Sequence, residues 1–132
     1  MSTTITKFNT NKYYIFIKSI ITSCDGRIIN ANSILDTGAP TTEFSDKFLL
    51  LFGFIDELNT EINIEKNLES KKYRKIVLPN LEICGQKLNN FEVAVSKFED
   101  SWGIDAIIGL DFFRKFHVAI DYNLGELVVT PY

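Results

Sequence analysis

Short runs of β-branched and aromatic residues, alternating apolar and polar with a period of two most clearly at 91–95, are separated along the chain by turn residues, the pattern of strands rather than of helices. Residues 13–17 with Ile20 and Ile21 form a β-branched and aromatic run, Cys24-Asp25-Gly26 is a turn, and residues 27–33 read as the returning strand. That hairpin delivers Ile34-Leu35-Asp36 into a loop running from Gly38 to Thr42. Ser45 or Thr42 then stands where it caps a short, buried helix through Phe48-Leu49-Leu50-Leu51-Phe52, and Gly53 is the stop signal. Residues 56–75 turn charged and Asn-rich, with a brief alternation at Ile62 and Ile64, which predicts a projecting hairpin rather than core. Strand signals resume at Ile76-Val77-Leu78, at Leu81-Glu82-Ile83-Cys84 and, after a turn at Gly85, at Phe91-Glu92-Val93-Ala94-Val95. An apolar segment at 104–110 leads into a helical turn over 111–116. Strands at 118–122 and 126–129 follow around Asn123-Leu124-Gly125.

Isoleucine is the commonest apolar residue and alanine is scarce, so the expected fold class is all-β with one or two short helices. The 132 residues are 45% hydrophobic and 23% charged, with no linker or low-complexity stretch, which predicts one domain over residues 1–132. A domain of this size buries about two thirds of its unfolded surface, leaving little room for an enclosed cofactor pocket; a large cleft is expected to need a partner chain. Fourteen basic against 17 acidic residues give a net charge of −3, which argues against a nucleic-acid partner. The longest apolar run, residues 48–55, is far shorter than the roughly 20 residues of a membrane span. The polar start Met1-Ser2-Thr3-Thr4 is unlike a signal peptide, so no membrane association and a cytoplasmic location are expected. Cys24 and Cys84 lie far apart and His117 is the only histidine, which predicts reduced, mostly buried thiols and no metal site.

Asp36 is the residue with chemical promise. It ends an apolar strand beside a glycine, where a carboxylate is expected to be poorly solvated and its ionisation tuneable. Gly38 permits close backbone approach, and Thr37 offers a hydroxyl to a facing loop. The plan recurs later: Ile107-Ile108-Gly109 followed by residues 111–116 repeats the apolar pair, glycine and short helix of the first half. A phosphoryl-accepting aspartate would want a second Asp where Gly38 stands. Taken alone, Asp36-Thr37-Gly38 is also compatible with a plain strand-ending turn.

In these two motifs the chain resembles the retropepsin-like aspartic proteases. Ile34-Leu35-Asp36-Thr37-Gly38-Ala39 is similar to the catalytic loop of that family, and Ile107-Ile108-Gly109-Leu110-Asp111-Phe112-Phe113 to its second signature. The closing strands at 118–122 and 126–129 also resemble those of microbial and retroelement members. The resemblance implies a closed-barrel-like fold and a homodimeric endopeptidase in which water is activated between the Asp36 residues of two chains. It also implies a supporting role for Thr37, Gly38, Ala39, Ile108 and Gly109, a peptide or protein substrate, and no metal or cofactor. Two departures stand out: no glycine occurs between Gly53 and Gly85, where the candidate flap (58–77) lies with Asn67-Leu68-Glu69-Ser70 at its tip, and Pro40 follows Ala39, leaving Thr41 as a substitute hydroxyl. The glycine-free flap is the sequence support for an alternative, a catalytically silent dimerisation or peptide-binding module.

The remaining conspicuous residues have plainer expectations. Asp111 is expected to cap the following helix, His117 to be a packed or edge histidine, and Trp102 to lie in the core. Lys71-Lys72-Tyr73-Arg74-Lys75, with Glu61, Glu65 and Glu69 nearby, reads as a solvated hairpin face, with selection of substrate charge as the sharper alternative.

Overall fold

Short alternating segments become short strands throughout. The computed structural model describes residues 2–56 and 75–132, together with the backbone of two short strands between them. In chain order these are β1 (Thr4–Lys7), β2 (Phe16–Thr22), β3 (Ile28–Leu35), β4 (Glu43–Ser45), helix α1 (Asp46–Leu51), β5 (Ile62–Asn63) and β6 (Leu68–Glu69). There follow β7 (Lys75–Ile83), β8 (Gln86–Ser96), a 3₁₀ turn at Asp100–Trp102, β9 (Ala106–Ile108), helix α2 (Leu110–Phe113), β10 (Phe116–Asp121) and β11 (Glu126–Pro131). A closed barrel in the order β2-β3-β9-β4-β8-β7 forms the body, and β1-β11-β10 make a separate three-stranded sheet. The all-β, closed-barrel expectation with two short helices holds.

Alternation decides which side chains fill the barrel. On β3, Ile29, Ala31 and Ser33 are buried while Ile28, Asn30 and Asn32 are exposed. Ser33 faces Ser19 of β2 inside the barrel, and the two buried hydroxyls satisfy each other at 2.8 Å. Around them pack Ile21, Phe44, Leu49, Leu78, Ile83, Val93, Val95, Ile108 and Phe112, each worth about 1.5–3 kcal/mol of burial. Helix α1 starts where Ser45 accepts the Phe48 N–H at 3.4 Å. Gly53, at φ +79°, ends it: its N–H reaches Leu50 O at 3.1 Å and the Phe54 N–H reaches Leu49 O at 2.8 Å, so both last-turn carbonyls are satisfied.

Several elements differ from expectation for local reasons. Strand β1 was not expected, because four residues of weak alternation carry little signal; it forms against the edge that β11 offers, from Thr4 opposite Val129 to Lys7 opposite Glu126. Tyr13, Tyr14 and Ile15 precede β2 instead of opening it. Phe116 begins β10, and α2 stops at Phe113. His117 lies exposed on the edge strand β10. Cys84 is buried as expected, but Cys24, in the β2–β3 turn, is exposed. In the candidate flap, β5 and β6 pair antiparallel with Ile62 opposite Glu69. The tip residues Asn67 and Ser70 and the basic run up to Arg74 lie outside the described residues. No helix among the described residues is long and apolar enough to cross a membrane.

Candidate active site

The two echoing segments of the sequence lie side by side. Strands β3 and β9 run parallel, Ile34 opposite Ile107 and Leu35 opposite Ile108, and the Asp36 N–H extends the ladder to Ile108 O at 2.9 Å. The chain then turns: the Asp36 carboxylate accepts the Gly38 N–H at 2.8 Å, and Ala39 N–H returns to Asp36 O at 3.1 Å. Asp36, Thr37 and Gly38 are exposed on the single chain, so the poor solvation expected of Asp36 is not present there. The cause is position: Asp36 is one residue past the end of β3, beyond the barrel wall that buries its predecessors.

The second motif passes directly beneath this loop. Leu110 N–H donates to Ala39 O at 2.8 Å, and Gly109 is so close that a Cβ there would stand 2.6 Å from Thr41 O and 2.7 Å from Ala39 O. Gly109 has φ −108°, which any residue adopts, so space alone demands glycine. A Cβ on Gly38 would lie 3.1 Å from the Asp36 carboxylate, which makes that position tight as well.

The strap that joins the two motifs is Thr42 with Asp111. Thr42 is fully buried; its hydroxyl donates to Asp111 Oδ1 at 2.7 Å and its N–H to Asp111 Oδ2 at 2.9 Å. The same hydroxyl accepts the Gly109 N–H at 3.2 Å, and Asp111 Oδ1 also accepts the Phe112 N–H at 2.9 Å. Asp111 therefore has a structural role, but not the expected one: the N-cap of α2 is Gly109, and Asp111 sits inside the first turn, bonded to the Asp36 loop. The bonding hydroxyl past Pro40 is Thr42, where Thr41 was expected. A signal existed: the inward face of β4 at Phe44 extends back by two to Thr42, and a hydroxyl on an inward face requires a partner.

Beside Asp36 lies a cavity of about 300 Å³ walled by Tyr14, Phe16, Ile34, Trp102, Ile104 and Ile107. Trp102, expected in the core, is 51% exposed; it rests against Phe98 with ring centroids 5.6 Å apart and leaves a face over the groove. Its loop is held at both ends. Asp105 exchanges bonds with Asn32, accepting its N–H at 2.8 Å and donating to its carbonyl at 2.7 Å, and Lys47 pairs with Asp100 at 3.0 Å.

No family model and no curated protein matches the chain. Solved structures do. A retropepsin-like aspartic protease from Rickettsia conorii superposes with a TM-score of 0.66 at 19% identity, over 98% of this chain and 91% of that one. The retroviral protease-like domain of Ddi1 from Leishmania major gives a TM-score of 0.54 at 15% identity, over 90% of this chain and 94% of that one. With the parallel β3–β9 pair and the crossing of Gly109 under the Asp36 loop, these likenesses establish that the chain has the retropepsin-like aspartic protease fold.

Proposed function

We propose that the chain is an aspartic endopeptidase working as a homodimer, with one active site built from the Asp36 loops of two copies. The observation that carries this reading is the Asp36 loop: an exposed carboxylate, oriented by Gly38, strapped from beneath by Thr42 and Asp111, with an apolar groove at its flank. Each chain supplies one such loop, so the second carboxylate of an aspartic dyad comes from a second copy, whose docking would also bury Asp36.

Two carboxylates at contact distance cannot both ionise, so the pair shares a proton. The ionised Asp36 takes a proton from a water held between the two, and the water oxygen bonds to the peptide carbonyl carbon. The protonated Asp36 gives its proton to the carbonyl oxygen. As the tetrahedral diol collapses, one diol hydroxyl returns its proton to the now ionised Asp36, the C–N bond breaks, and the amide nitrogen leaves with the proton first taken from the water. The dyad titrates as a pair, giving an acid-to-neutral optimum that belongs to neither residue alone. In this arrangement Thr37 bonds across to the opposite loop, Gly38 allows the loops to approach, and Ala39 and Ile108 fix the backbone through their carbonyls. The substrate is an extended peptide laid against the cleft as an added strand, an apolar side chain next to the scissile bond filling the groove beneath Trp102.

The test is cleavage of a diverse peptide library between mildly acidic and neutral pH by wild type and Asp36→Asn, with subunit association measured by sedimentation. Cuts made by the wild type and reduced about 10²–10⁴-fold in the variant are expected. A monomer at micromolar concentration removes the basis of the mechanism, and a dimer that cuts nothing turns the reading toward a peptide-binding module.

A further inference from the structure

A second groove, of about 500 Å³, begins where the Asp36 loop ends, at Thr41 and Asp111, and follows the outer face of β8. Two features tie its near end to the cleft. Ala94 of β8 donates its N–H to Thr42 O at 2.9 Å, and Lys75, opposite Ala94 in the β7–β8 ladder, is the residue where the candidate flap hairpin runs into the barrel. The groove thus starts between the end of the Asp36 loop and Lys75, where β7 leaves the candidate flap segment. Its far end is marked by Lys87 and Asn89, about 20 Å along β8 at strand rise.

The charge in this groove is opposite to that of the protein. The chain carries −3 overall, yet Lys75, Lys87 and Lys115 line the groove. Two carboxylates face them. Asp111 is occupied by Thr42 and the Phe112 N–H, and Glu92 pairs with Lys75 at 3.3 Å. Lys87 stands across the ladder from Glu82 without forming a salt bridge with it, and Lys115 has no acidic partner among the described residues. Two exposed ammonium groups, with the amides of Asn89 and Asn90 between β8 and solvent, are left for a ligand.

We infer that this groove is an exosite for an acidic stretch of the substrate polypeptide, engaged outside the residues that flank the scissile bond. The inference rests on the endopeptidase reading for its occupant. Thr41 is five residues from Asp36, so the groove opens within about 18 Å of the reacting bond, the reach of about five extended residues. Acidic side chains from that point outward meet Lys75 and Lys115 first and Lys87 last.

The test uses peptides that share one cleaved core and differ only in a Glu-rich or Gln-rich tail joined about five residues from the scissile bond. Wild type is expected to favour the Glu-rich tail about tenfold in kcat/KM at low salt, with the preference shrinking as ionic strength rises. The double variant Lys87→Glu, Lys115→Glu, both at exposed positions, is expected to abolish or invert that ratio, and Lys87→Gln, Lys115→Gln, which sets no carboxylate opposite Glu82, is expected to abolish it with the fold unchanged. Anisotropy of the labelled tails on Asp36→Asn supplies a readout independent of turnover. Cleavage of both peptides at equal rates, or a preference that survives the double reversal, overturns the exosite and leaves the endopeptidase reading intact. Preferential binding of the Glu-rich tail that the double reversal removes, from a protein that cuts neither peptide, supports the groove as an acidic-peptide site and overturns the endopeptidase reading. Neither cleavage nor tail preference overturns both.

Discussion

Thr42→Val keeps the side-chain volume and removes one oxygen from under the Asp36 loop. Two hydrogen bonds go with it: the hydroxyl's donation to Asp111 Oδ1 at 2.7 Å and its acceptance of the Gly109 N–H at 3.2 Å. A bond to a carboxylate is worth about 1.5–3 kcal/mol, and a buried N–H left without a partner costs about 1–3 kcal/mol more. Asp111 keeps its bonds to the Thr42 and Phe112 N–H groups, so the loss falls near the middle of the sum, about 3–5 kcal/mol. Thr42→Ser keeps the oxygen and loses one methyl, for about 1 kcal/mol. In a domain this long, 1 kcal/mol moves Tm by about 3–4 °C, so the valine variant should melt roughly 10–18 °C lower and the serine variant about 4 °C lower. Urea unfolding at a fixed subunit concentration checks this, because association with a second copy shifts the apparent stability. A cycle with Asp111→Asn should show coupling of at least about 1 kcal/mol between the two positions. Valine costing no more than serine, or a coupling near zero, would refute the assignment of Thr42 and Asp111 as the strap of the Asp36 loop.

Two other perturbations separate specificity and stability. Trp102→Ala removes a half-exposed wall of the groove beside Asp36, so stability should change by less than about 1 kcal/mol while KM rises most for peptides with a large aromatic side chain next to the scissile bond. A uniform slowing across small and large side chains would count against that wall. Burial pushes the Cys84 thiol up to about 11 from an ordinary value of 9.0, against a weaker opposing pull from its bond with Thr6. The folded state then holds a proton that the unfolded chain releases, so stability is full below about pH 9 and falls by up to about 1.4 kcal/mol per pH unit as pH rises toward the folded value. Cys84→Ala should flatten this alkaline decline; an equal decline in the variant would place its origin elsewhere.

What was legible in the sequence was whatever alternation encodes. Phe91, Val93 and Val95 face inward on β8 as their spacing of two requires, and Ser45 and Gly53 bound α1 by local chemistry that needs no tertiary partner. The echo of the two motifs was also readable, since each follows an apolar pair with a glycine, but their pairing as parallel strands was not. Contacts made across long stretches of chain were not. Asp111 bonds to Thr42, 69 residues away, and from its neighbours alone it reads as a cap; β1 forms only because β11, beyond residue 125, leaves an edge for it. Trp102 and Asp36 fail for a shared reason. An aromatic expected in the core, and a carboxylate after the apolar Ile34 and Leu35, were both expected to be shielded, and both are exposed on the single chain. They also line the same cavity, so the surface that escapes the burial rule is one continuous patch at the end of β3. A patch that carries an unspent apolar surface together with the one carboxylate of the loop is the surface that the proposed peptide and second copy would cover.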